Sequence, residues 1–100
     1  MNKINLMEMV KSPQGLDCIK RKGSKVFMPI ELKHNVHNAA MEILPKMEKY
    51  SELSGYPIAF FPKSENTTLM NYGARTLYID NNASQQEIVE SINKHINKVF

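Results

Sequence analysis

Hydrophobic and polar positions along this chain follow two different periods. The strongest helical pattern runs through Leu32, Val36, Ala39, Ala40, Ile43, Met47, Tyr50 and Leu53, which step by three or four and share one face. Gly55 follows as the left-handed residue that commonly ends such a helix. Pro45 interrupts the stripe, because proline lacks an N–H and crowds the carbonyl four residues back. The expectation is a long helix kinked near residues 41–45, or two helices end to end. A second stripe, Ile88, Ile92, Ile96 and Val99, follows Ser84 and Glu87, whose spacing is that of a capping box. This predicts a helix from there to Phe100. Ile4, Met7 and Val10, three apart with Leu6 beside them, predict a short helix over residues 3–11. Ser12-Pro13-Gln14-Gly15 stops it.

Between these segments the pattern turns to β. Residues 16–20 and 26–30 read as two strands joined by the Gly-Ser tip of Arg21-Lys22-Gly23-Ser24. Pro29 cannot donate to a ladder, so the second of them is expected to be an edge strand or to stop there. Residues 56–61 form a β-rich run entered through Pro57. Residues 67–71 and 75–80 pair as a hairpin through Tyr72-Gly73-Ala74. The expected order is α-β-β-α-β-β-β-α. That makes a single α+β domain over residues 1–100, with three helices and a largely antiparallel sheet of four or five strands.

Composition narrows the class. At 100 residues, 42% hydrophobic and 23% charged, the chain is one ordinary folded domain. No apolar run is long enough to span a bilayer, so no membrane is expected as partner. Asn2, Lys3, Asn5, Glu8 and Lys11 break up the first twelve residues, unlike a secretory leader. With Cys18 the sole cysteine, a reducing cytoplasm is the expected location. Lys, Ile and Asn supply 30 residues, a composition that suits a low-GC bacterium or its phages.

The net charge of +3 is unevenly spread. Residues 1–33 hold seven basic side chains against three acidic, chiefly through Lys20, Arg21, Lys22 and Lys25. Such a run suits phosphate or an acidic protein surface. Phe27 nearby offers a stacking ring, though the aromatic interleaving of a dedicated single-strand binder is thin.

The remaining chemistry is sparse. His34 and His37, spaced i, i+3, could share a zinc only with further ligands such as Cys18, Glu31 or His95. No CxxC or HExxH is present, and no metal or cofactor is expected. Cys18 reads as a packed strand cysteine rather than a nucleophile. Glu42, Glu48 and Glu52 lie on helical positions with lysines between them, as on a solvated face. No enzyme is expected, since a nucleophile, base and orienter in one cleft cannot be assembled from these residues. The methionines read mostly as core filler.

Two stretches resemble known families. Arg21-Lys22-Gly23-Ser24-Lys25-Val26-Phe27 resembles the hairpin of HicA-type ribonuclease toxins, which carry a catalytic histidine directly after the Gly-Ser; Lys25 stands there in this chain. Residues 55–97 are similar in layout to ImmA/IrrE-type metallopeptidases. Where those carry HExxH, this chain has Asn93-Lys94-His95-Ile96-Asn97, so the resemblance implies no peptidase.

The function expected is therefore binding: a small non-catalytic regulator or inhibitor of a larger protein partner. Tyr56, Phe60, Phe61, Tyr72 and Tyr78 are the expected contact residues. Lys20, Arg21, Lys22 and Lys25 would steer the encounter. The alternative is a nucleic-acid-binding module built on the same basic hairpin, and a second copy of the chain is a further partner to consider.

Overall fold

A computed structural model describes residues 7–97. Its elements are β1 (Met7–Lys11), β2 (Asp17–Arg21), β3 (Val26–Pro29), α1 (His34–Glu42), α2 (Leu44–Ser54), β4 (Ile58–Pro62), β5 (Thr67–Tyr72), β6 (Arg75–Asp80) and α3 (Gln85–Asn97). The six strands form one sheet in chain order. All neighbours are antiparallel except β3 and β4, which run parallel and are joined through α1 and α2.

The α+β class agrees with the sequence reading; the helices agree in number but not in identity, and the strand count does not agree. The sixth strand is β1, which falls where a helix was expected. The spacing of Met7 and Val10 suits a helix turn, but residues 7–11 instead pair along their whole length with β2. Glu8 lies opposite Lys20 and accepts a 2.7 Å hydrogen bond from it. Long-range pairing has outweighed a short local pattern. The remainder of that expected helix, residues 3–6, lies outside the described residues, as do residues 98–100 at the end of the last one.

Of the two arrangements expected around Pro45, the structure has two helices end to end rather than one kinked helix. Ile43, at φ −110° and ψ 20°, ends α1 and begins α2, with Pro45 in the first turn of α2. A first-turn proline gives up an N–H that has no helical partner in any case. Gly55 closes α2 at φ 82°, its N–H bonded to the Ser51 carbonyl. The capping box forms as expected: the Ser84 N–H donates to Glu87 and the Glu87 N–H to the Ser84 hydroxyl. Pro29 ends β3 without placing it at an edge, because β3 lies between β2 and β4.

One face of the sheet carries the core. Val26 and Met28, Ile58 and Phe60, Met70 and Tyr72, and Leu77 and Ile79 alternate inward from four adjacent strands. They meet Val36, Ala39, Ala40, Ile43, Leu44, Met47, Tyr50, Ile88, Ile92 and Ile96 from the helices. Met28, Met47 and Met70 are fully buried, whereas Met7, Met9 and Met41 are exposed. Asn81 fastens the end of this core. It accepts from Thr68 at 2.6 Å, and its amide donates to the carbonyls of Ser64 and Glu65. Asn35 on α1 donates to the carbonyls of Asn81 and Ala83, joining α1 to the same turn.

Candidate functional site

The strand alternation that buries one face presents the other. The register sets Phe61 of β4 opposite Leu69 of β5, and Leu69 opposite Tyr78 of β6, so the three side chains stand in one row across three strands. Phe61 and Leu69 are half-buried and Tyr78 is 64% exposed. The adjoining row is Phe27, Ala59, Asn71 and Thr76. The helical core residues all pack with the opposite set of strand positions, so among the described residues no helix covers this face. Lys63 lies 5.7 Å from the centre of the Tyr78 ring, a cation–π contact at the rim.

The five aromatic residues expected at a contact surface divide accordingly. Phe61 and Tyr78 lie on the uncovered face. Tyr56 is 60% exposed at the start of the segment entering β4, beside Gly73. Phe60 and Tyr72 are corrections: both point under the helices, at 0% and 3% exposure, and Tyr72 packs edge-on against Tyr50 at 5.9 Å. They fill the core and cannot touch a partner of the folded protein. Burial also pushes the Tyr72 hydroxyl above the usual tyrosine range, with Arg75 opposing the shift. Leu69 was not among the expected residues. Its signal was available in the hairpin register, which places it between the two aromatics.

The basic tip is less free than its sequence suggests. A turn closed by the Ser24 N–H and the Arg21 carbonyl, with Gly23 at φ 86°, carries it. Lys20 is paired with Glu8, whose carboxyl is held below its ordinary range chiefly by that hydrogen bond. Arg21 reaches Glu48 on α2 through two nitrogens. Lys22 and Lys25 remain exposed and form no ion pair among the described residues. An open cleft of about 480 Å³ between the tip and α2 has Lys22 and Lys25 on one side and Glu48 and Glu52 on the other. Its mixed charge does not favour a polyanion.

The other candidate chemistry is dispersed. Cys18 is fully buried in β2, and burial pushes its thiol up, only partly offset by Ser12. His34 contacts Asn38, and His95 donates from Nδ1 to the Ser91 carbonyl one turn back. Among the described residues no three His, Cys, Asp or Glu side chains are grouped as metal ligands would be, and no helix is long and apolar enough to cross a membrane. Neither family resemblance gains support from comparison: no protein-family model, curated protein or solved structure significantly matches the chain.

Proposed function

We propose that this protein acts by binding another protein, as a non-catalytic regulator or inhibitor of a larger partner, and that the uncovered sheet face is its contact surface. The observation that carries this reading is the Phe61–Leu69–Tyr78 row, standing on a face no described helix covers. Aromatic and aliphatic side chains grouped in one row on an accessible sheet face suit the centre of an interface. Lys63 at the rim of the row suits a partner whose surface there is acidic, and Lys22 and Lys25, away from it at the basic tip, would act at long range on the rate of encounter more than on its strength.

Nucleic acid is the weaker reading, because two of the four tip cations are already neutralised by Glu8 and Glu48. Affinity capture from lysate of the source cell, with and without nuclease, separates the two. A protein retained after nuclease treatment and lost with Leu69→Lys supports the proposal. Recovery of nucleic acid alone, or of no specific protein, rejects it.

A further inference from the structure

The open cleft between the basic tip and α2 has its two walls fastened together. Arg21 at the foot of the tip forks onto Glu48 of α2, so little ordering remains to be done when a ligand enters. The cleft's volume of about 480 Å³ falls within the range of small-molecule sites, about 300–1,000 Å³. None of its lining residues belongs to the Phe61–Leu69–Tyr78 row, so a ligand here is independent of a protein bound there.

Charge on the two walls differs in sign and in number. The tip carries Lys22 and Lys25, both exposed and neither in an ion pair among the described residues. The turn's hydrogen bond uses the Ser24 N–H and leaves those of Lys22 and Gly23 outside it. On the helix wall Glu48 is spent on Arg21. Glu52, one turn further along α2, is exposed and forms no ion pair among the described residues. It stands in the last turn of α2, where the helix carbonyls concentrate negative charge and no basic side chain offsets them. A carboxylate there is repelled by its own helix end, and a cation beside it relieves that cost. Neither lysine pairs with Glu52 across the cleft. The walls therefore offer two free cations and, across a gap, one free carboxylate.

We propose that this cleft binds a small phosphate monoester that also carries a protonated amine. A phosphate monoester holds a charge of about −1.5 to −2 at neutral pH and three strong acceptor oxygens, which matches Lys22 and Lys25 together. A carboxylate, with one charge, would leave one of the two lysines unmatched. The ammonium end faces Glu52 and the negative end of α2. A nucleic-acid strand supplies phosphates without that amine, and its next phosphate would meet Glu52 in repulsion. Only a ligand with both groups satisfies both walls.

Titration at low salt, followed by the NMR shifts of the backbone amides, tests this. The probe is phosphoethanolamine, compared with ethyl phosphate and ethanolamine as its two halves. The Gly23 and Ser24 amides should shift and saturate. Phosphoethanolamine should bind about two- to fivefold tighter than ethyl phosphate, the size of one exposed ion pair, and far tighter than ethanolamine. Glu52→Gln should erase the difference between phosphoethanolamine and ethyl phosphate while ethyl phosphate still binds. Lys22→Gln combined with Lys25→Gln should abolish binding of both. All three side chains are exposed, so the variants should keep their fold, which circular dichroism verifies. Shifts that never saturate, equal affinity of the parent for phosphoethanolamine and ethyl phosphate, a preference that survives Glu52→Gln, or binding indifferent to loss of the two lysines each overturns the proposal.

Discussion

Arg21, the last residue of β2, donates from both Nε and Nη2 to the two carboxylate oxygens of Glu48 on α2. The pair is forked and mostly shielded from solvent, with side-chain exposures of 29% and 17%. Fork-to-fork geometry is the stronger form of an ion pair. It fastens a sheet hairpin to a helix and withdraws one cation from the basic tip.

Removing that carboxylate therefore has two measurable consequences. Glu48→Gln should cost about 1–2 kcal/mol, read as a lower urea midpoint at unchanged slope. It should also free Arg21, so that the variant leaves a heparin column at higher salt than the parent. An unchanged elution position would show that the Glu48 contact does not govern the tip's affinity for polyanions.

The Asn81 cluster makes a stability prediction elsewhere. Thr68 and Asn81 are both buried, and Asn81 spends its amide on two loop carbonyls. Asn81→Ala leaves those groups without partners and should cost about 2–4 kcal/mol, at the high end for a single polar residue because several bonds are lost together. Thr68→Val keeps the shape and removes one hydroxyl, and should cost less. Equal losses in urea denaturation would mean the loop carbonyls find other partners.

Much of the fold was legible in the sequence, for identifiable reasons. Gly55 and the Ser84–Glu87 capping box are local devices whose geometry is set within four residues, so they formed as read. The hairpins around Gly23 and Gly73 were equally local, each requiring a positive φ at glycine. What failed was long-range. β1 exists because β2 pairs with it, and nothing within residues 7–11 announces that partner. Two of the five aromatic residues, Phe60 and Tyr72, failed for a related reason. Phe60 and Phe61 are neighbours with the same composition signal, but a strand sends them to opposite faces, and only the register shows which face the helices cover.

Stability should fall on the alkaline side. Burial raises the Cys18 thiol above its ordinary value of 9.0 and the Tyr72 hydroxyl above 10.0. For a group whose folded value is raised, stabilisation is complete below the unfolded value and is lost as pH rises through the folded one. Thermal midpoints should therefore decline progressively above about pH 9, first through Cys18 and then through Tyr72. Cys18→Ala should remove the earlier part of the decline. The same burial predicts slow alkylation of the native thiol at neutral pH, speeding up on denaturation; rapid native labelling would place Cys18 outside the core.

The ordinary core makes a control for these variants. Phe60→Ala should cost about 3–5 kcal/mol, as expected for a fully buried aromatic residue. Phe61→Ala, one residue on and half-buried, should cost much less. Comparable losses in denaturant unfolding would show that both faces of the sheet are covered.

The proposed function places a protein partner on the face bearing Phe61, Leu69 and Tyr78. Its most direct test is calorimetric titration of the purified captured partner with the parent protein and with Leu69→Lys, after both are shown to be equally folded. The dissociation constant of the variant should be at least thirtyfold higher, the effect of placing a charge at an interface centre worth about 2 kcal/mol or more. Lys22→Glu with Lys25→Glu should by contrast mainly slow association. An affinity unchanged by Leu69→Lys would place the partner elsewhere, because a partner indifferent to the middle of that row does not bind the uncovered face.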